Sequence, residues 1–401
     1  MLTIDGVKYD VSRFNHPGGH LVLKNLEGKD ATAEFRLFHP HGHKIFFRGK
    51  GTGVPHLAKL LDGEAVDTDK MKDFFELEKR MQKNGFFEST SLFYVERALI
   101  IGLLFLSAVT LRCSFPIVSA VCLGMFWIQL AFVGHDVGHS SVNGRRNDSL
   151  YGVLFGNTLG GISLEWWKHG HYVHHVSPND MEKDPDIQHL PVFAVDPKML
   201  GFYSSFHEKW FHFTTLAKLL VAHQVYLFYP IMSVARFNLY AQSLLWSSKK
   251  GSSLDLLTLF FFYTWFIALV LSGDSRLMYI YVSHAVTGLL HVQICISHFA
   301  EQIDVKGDWV DRQSLTTIDV DCPAWMDWFH GGLQFQLIHH LFPRLPRENL
   351  RKASELLQPF FKRHNVRCVR LGFVECNRRV LRKLAGTSDH ALLVDAINLR
   401  G

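Results

Sequence analysis

Two pairs of apolar stretches govern what this chain can fold into. Residues 98–111, 115–133, 256–271 and 277–296 each approach the roughly 20 residues that a helix needs to cross a bilayer. Lipid leaves only helices or closed barrels able to satisfy a spanning backbone. The first and third stretches are short and must extend into flanking polar residues. Only Arg112, Cys113 and Ser114 separate the first pair, and only residues 272–276 the second. Each pair therefore makes a tight helical hairpin that barely emerges on one side. The long polar segments, with Lys168, Lys183, Lys198, Lys249, Lys250 and a basic C-terminal tail, fall on the other side, which the bias of basic residues places in the cytosol. Residues 150–164 and 216–246 are also apolar, but Gly, Pro, Arg and Gln interrupt them, so they read as re-entrant or interfacial helices.

Composition agrees with a membrane protein that has substantial soluble parts: hydrophobic residues are 48% of the chain and charged residues 20%. The net charge is +5 and no Lys/Arg block stands out, which argues against nucleic acid as a partner. The six cysteines (Cys113, Cys122, Cys295, Cys322, Cys368 and Cys376) include no C-x-x-C pair. They read as reduced packing residues and not as a disulfide framework or thiolate metal site. No apolar signal-peptide core precedes the first stretch, so insertion depends on later segments.

Three organisational units follow: a polar, turn-rich unit over 1–61, a charged linker and amphipathic helix over 62–90, and the membrane part over 91–401. The fold class expected is an α-helical membrane protein. It has about four transmembrane helices, interfacial helices and a cytosolic cap, plus a small α+β N-terminal domain.

Histidine is over-represented, at 24 of 401 residues, and much of it is clustered. His135 and His139 stand at i, i+4; His171, His174 and His175 at i, i+3, i+4; Gln336, His339 and His340 repeat that second spacing. On a helix these intervals bring side chains onto one face. Imidazole suits iron, copper or zinc, and a site with no Cys and few carboxylates favours such a borderline metal. The first two clusters follow the second stretch and the third follows the fourth, so all three emerge on one side. His298, just beyond the fourth stretch, is placed to join them. A lone H-x-x-x-H is common on surface helices; it is the repetition that carries the reading. His169, His291 and His330 are assigned to packing or to support of the ligands.

In the first unit, His16-Pro17-Gly18-Gly19 follows a β-like stretch, Val7 to Val11, and His39 lies 23 residues on. Glycines after a ligand histidine let the backbone approach a flat cofactor. Two histidines on opposing helices can hold a haem from both faces, which suits electron transfer. His41 and His43 compete with His39 for the second place.

The boxes H-D-x-G-H, H-x-x-H-H and Q-x-x-H-H resemble those of the membrane fatty-acid desaturases, and the Gln of the third marks the front-end class. The match continues through Trp166-Trp167-Lys168, through residues 328–336 and through Leu341-Phe342-Pro343-Arg344-Leu345-Pro346-Arg347. Asp184-Pro185-Asp186-Ile187-Gln188-His189 and Tyr229-Pro230-Ile231-Met232 are similar to delta-8 sphingolipid and delta-8 acyl desaturases. One departure is Ile338, where that family usually has Glu. The N-terminal unit resembles cytochrome b5, in which His-Pro-Gly-Gly supplies one axial ligand; the family pattern favours His39 for the other. The start at Met1 is short against that family, and only Asn15 separates Phe14 from His16.

The resemblance implies two non-haem iron ions on His135, His139, His171, His174, His175, His298, His339 and His340, with Gln336 as a catalytic residue. It implies haem b on His16 and His39, O2 as co-substrate, and electrons from NADH through a cytochrome b5 reductase. It implies a multi-pass endoplasmic reticulum protein with both termini cytosolic. The expected reaction places a cis or trans double bond in a long-chain fatty acyl or sphingoid lipid, delta-8 being the nearest match. A fatty-acyl hydroxylase of the same di-iron class is the related alternative. From other classes stand a membrane-anchored haem electron carrier and a metal transporter; the latter calls for polar groups inside its spans, and these carry few.

Overall fold

The computed structural model describes residues 1–39 except 13, 15 and 17, then 59–62, and 68–398 except 143, 144 and 251. His41 and His43 lie outside the described residues. Near the N-terminus, β1 (Leu2–Ile4), β2 (Val7–Tyr9) and β3 (Lys59–Asp62) form an antiparallel sheet in the order β1-β2-β3. Ile4 pairs with Val7, so Asp5-Gly6 makes a two-residue hairpin turn, and both have positive φ, 50° and 73°. That backbone suits an Asp-Gly pair because its twist matches the strands. Helices α1 (His20–Asn25) and α2 (Thr32–Phe38) cover the sheet, burying Leu2, Ile4, Leu26 and Ala31 together with Val176 from a later helix. The small unit thus rests directly on the membrane part.

Helix α3 (Asp69–Lys83) starts where Thr68 Oγ1 accepts from the Met71 amide, and it buries Met71, Phe74, Leu77 and Met81 at helical spacing. These pack on Leu341, Phe342 and Leu350, as the amphipathic pattern of the linker leads one to expect.

Among the described residues four helices are long and apolar enough to cross a membrane, by length and composition: α4 (Ser91–Thr110), α5 (Pro116–Gly138), α7 (Ser253–Leu271) and α8 (Arg276–His298). Helix α4 turns Leu99, Leu103 and Leu106 outward, a stripe suited to lipid. Helices α5 and α8 form the inner pair. Gly124 admits the Ser283 carbonyl and Val286 so closely that a Cβ there would meet them at 2.7 and 2.6 Å; small residues at such crossings let spanning helices approach. The two hairpins are joined at their turns by Arg112, which donates to the carbonyls of Leu269, Val270, Gly273 and Asp274 and is almost wholly buried. All six cysteines are free; Cys113 is exposed where packing was expected.

The interrupted apolar segments do not form single long helices. Residues 150–164 run from the end of a helix over Arg145–Gly152 through a π-helical stretch, Val153–Leu159, into α6 (Leu164–Val176). Asn157 and Ser163 both donate to buried Asp255, fastening this stretch to α7. Residues 216–246 break into helices over Thr215–Ala222, Gln224–Val234 and Arg236–Lys250. Beyond α8 lie α9 (Trp309–Thr316), β6 (Asp319–Asp321), α10 (Gln336–Leu341), β7 (Arg370–Gly372) and α11 (Phe373–Asn398). Strands β4 (Phe202–Ser204) and β5 (Lys209–Phe211) pair antiparallel, and β6 and β7 pair in parallel.

Candidate metal centre

Four helix ends meet at one end of the bundle. His135 and His139 come from the end of α5, one turn apart; His171, His174 and His175 from α6; His298 from the last residue of α8; Gln336, His339 and His340 from α10. Local packing fixes each helix. Trp167 stacks on His171 with ring centroids 4.2 Å apart, and it lies so close over Gly138 that a Cβ there would be 2.2 Å from it. The glycine of the first box is therefore the space that this indole occupies. Helix α10 begins where Asp319 Oδ1, on β6, accepts from the Leu337 amide at 2.9 Å. Asp136, between the first two histidines, is paired with Arg347 at 3.1 Å and accepts from the Tyr94 hydroxyl at 3.2 Å.

The imidazoles divide into two adjacent groups. In one, the ligand atoms of His135, His139, His171 and His339 all lie within 4.8 Å of one another; in the other the same holds for His174, His298 and His340. His175 stands between, 4.7 Å from His339 and 4.3 Å from His340 by ring centroids. His171 Nε2 is 2.9 Å from His139 Nε2 and 3.1 Å from His175 Nε2. A first-row metal with nitrogen ligands at about 2.1 Å puts adjacent nitrogens about 3 Å apart. Nε2 of His339 and of His340, and Oε1 of Gln336, are buried with no hydrogen-bond partner. Such a set of converging, orphaned lone pairs is what bound metal would satisfy.

The second group is oriented from behind. Nδ1 of His174 donates to Asp184 at 2.8 Å, Nδ1 of His340 to Gln313 Oε1 at 2.9 Å, and Nδ1 of His298 to the Thr316 carbonyl at 3.0 Å. Each bond turns Nε2 toward the cluster and fixes the tautomer a metal needs. Gln313 also donates to the His175 carbonyl, so one side chain spans two boxes. Gln336 Nε2 lies 2.9 Å from His298 Nε2 and donates to it, a bond that a metal on His298 would displace. Burial, with neighbouring imidazoles, holds His171, His175, His339 and His340 well below the usual histidine range, hence neutral and able to bind metal. Burial also opposes charge on His174, but Asp184 and Asp186 outweigh it and raise that group to about 9, so a metal bound there displaces the proton on its Nε2.

The three other histidines stand apart from the two groups. His169 packs on Trp246, His291 has Nδ1 on the Met232 carbonyl, and His330 packs near Phe373. Ile338 is wholly buried in the apolar cluster with Leu337, Leu341 and Phe74. A small cavity lined by His135, His139, His339, Leu333 and Leu350 adjoins the first group.

In the N-terminal unit the rings of His16 and His39 face each other at 5.8 Å, nearly perpendicular. This approaches the spacing of two imidazoles that share one iron axially, so the donor set fits a haem. Nδ1 of His39 donates to the Phe35 carbonyl at 3.0 Å. The Gly18 amide donates to His16 Nδ1 at 3.0 Å. Ligation by His16 Nε2 requires that contact to break, because Nδ1 must then carry the proton and an amide N–H cannot accept it. Gly19 has φ +92°, a conformation that glycine adopts without strain.

Sequence spacing alone did not reveal Asp184, Gln313, Asp136 and Arg347 as supports. Asp184 had a local signal, a carboxylate flanking proline shortly after a box; Gln313 had none.

Residues 114–372 match the family model for fatty acid desaturase, and residues 1–75 that for the cytochrome b5-like heme/steroid binding domain. The chain is 37% identical to a delta(8)-fatty-acid desaturase 2 of Arabidopsis thaliana, over 100% of this chain and 94% of that one. It is 36% identical to an acyl-lipid (9-3)-desaturase of Borago officinalis, over 96% and 90%. With a delta 8-(E)-sphingolipid desaturase of Komagataella phaffii it shares 40% identity over 80% of this chain and 63% of that protein.

Proposed function

The chain belongs to the fatty acid desaturase family and has a fused cytochrome-b5-like domain, and from this we propose that it is a front-end desaturase of the delta-8 type. In that class the new double bond falls between an existing double bond, or the head group, and the carboxyl end. The substrate is a long-chain fatty acyl or sphingoid lipid. The observation that carries the reading is the pair of adjacent imidazole groups, with His175 between them, at the end of four apolar helices.

In this reading His135, His139, His171 and His339 would hold one iron and His174, His298 and His340 the other, with His175 completing one of the two sets. Iron with O2 supplies an oxidant strong enough to remove two hydrogens from an unactivated chain. The protein's part is orientation and exclusion of water. Asp184, Gln313 and the Thr316 carbonyl fix three imidazoles. The Asp136–Arg347 pair binds the first box to the segment after the third. Gln336 presents its amide beside His298, as a weak ligand or as the holder of a water. His16 and His39 would hold the haem, and its electrons would come from NADH through a cytochrome b5 reductase. In this reading the boxes and both termini lie in the cytosol, at the endoplasmic reticulum membrane; the short turns of the two hairpins and the basic residues on the opposite side support that sidedness.

Expression in a host fed candidate fatty acids, with double bonds mapped in acyl lipids and in long-chain bases, tests this. A new double bond at the delta-8 position is expected, and its loss in the His171→Ala variant. Hydroxylated product without an alkene would overturn the reading in favour of the hydroxylase alternative.

A further inference from the structure

The two cofactor regions meet at one side chain. Phe38 is the last residue of α2, and the residue after it is His39. Its ring crosses the boundary and faces His175, with centroids 6.2 Å apart at 77°. Two more rings flank it: Tyr172 at 5.9 Å and Trp309 at 6.4 Å. Both lead on to the boxes. The Tyr172 hydroxyl donates to the carbonyl of Gly138, the residue before His139, and its ring is 6.0 Å from that histidine. Trp309 Nε1 donates to the carbonyl of Leu341, the residue after His340.

We propose that Phe38 is the electron bridge between the two domains, joining the haem held by His39 to the non-haem centre held by His175. This rests on the desaturase reading above. A haem ligand is covalently next to Phe38, and an iron ligand is in ring contact with it. In the step, one electron leaves a ferrous haem, which becomes ferric, and a ferric non-haem iron takes it up and becomes ferrous; no bond forms or breaks and no proton moves.

The bland reading is that Phe38 merely plugs the boundary, since it packs on the apolar clusters of both domains. Docking, however, has other supports. Arg312 pairs with Glu34, and Val176 of α6 lies within the N-terminal core. An aliphatic residue at position 38 keeps an apolar plug while removing the π-system, so the two readings part.

The test uses the full-length protein in detergent, loaded with haem and iron. A photochemical donor delivers one electron to the haem anaerobically, and the visible band of the haem is followed as it reoxidises. Phe38→Leu and Phe38→Met are expected to slow reoxidation by on the order of tenfold, with haem spectrum, midpoint potential and iron content as in the wild type. Phe38→Tyr is expected to stay near the wild-type rate. Wild-type reoxidation in both aliphatic variants overturns the bridge and leaves the desaturase reading standing. A wild-type haem that stays reduced with iron as long as without it overturns the transfer between domains itself, and the bridge with it.

Discussion

Asp184 accepts a hydrogen bond from Nδ1 of His174 at 2.8 Å, and both side chains are buried. Its other oxygen accepts from the Asp186 amide, and the Asn179 amide also donates to the carboxylate. The carboxylate is therefore fixed before any metal arrives, and it fixes the imidazole in turn. Asp184→Ala is expected to lower iron affinity or product formation by about 10–100-fold, the usual effect of removing such a partner. Metal analysis of the purified variant checks this; full iron content with normal turnover would count against His174 as a ligand.

Gln336 sits beside His298 with its carbonyl oxygen unpartnered. Gln336→Ala removes the amide and is expected to lose most activity. Gln336→His adds a stronger ligand in a place shaped for a weaker one and should fall between Ala and wild type. Full activity of the Ala variant at matched iron content would show that the amide serves only to hold His298.

The haem prediction concerns His16 and His39, whose rings face each other. Purified protein made with ample haem should show a low-spin b-type spectrum. His16→Ala is expected to abolish that spectrum while iron in the membrane part stays at the wild-type level. Loss of both metals together would indicate that the small unit is needed to fold the rest.

Arg112 satisfies four carbonyls of the second hairpin and lies over the Tyr279 ring at 4.1 Å. Arg112→Ala strands those carbonyls and is expected to cost about 2–4 kcal/mol. A thermal melt in detergent should move clearly downward, with iron per folded molecule little changed. An unshifted melt would mean that lipid-side packing alone holds the hairpins together.

Local spacing made much of this legible. The box histidines stand at helical intervals, and their helices form where those intervals place them. The four spans follow from runs of apolar residues, and α3 from its periodic Met71, Phe74, Leu77 and Met81. What sequence could not show is long-range. Gln313 reaches His340 across a turn of chain that no periodicity describes, and Arg347 finds Asp136 from the far end of the membrane part. Arg112 looked like one of three connector residues and instead clamps the other hairpin. The spans also hold more polar groups than their overall character suggested: Gln129, Thr287, His291 and Gln293 are buried among the helices. Phe38 offered no signal either, since only tertiary packing brings it to His175.

The division of the boxes around the second hairpin sets an order of assembly. His135 through His175 emerge from the ribosome before α7 and α8, whereas His298, Gln336, His339 and His340 follow once those helices have been made. A nascent chain therefore carries only part of each imidazole group until the second hairpin is in the bilayer and the cap has folded back. Metal that needs the complete set would then be captured only by a protein already seated in its membrane.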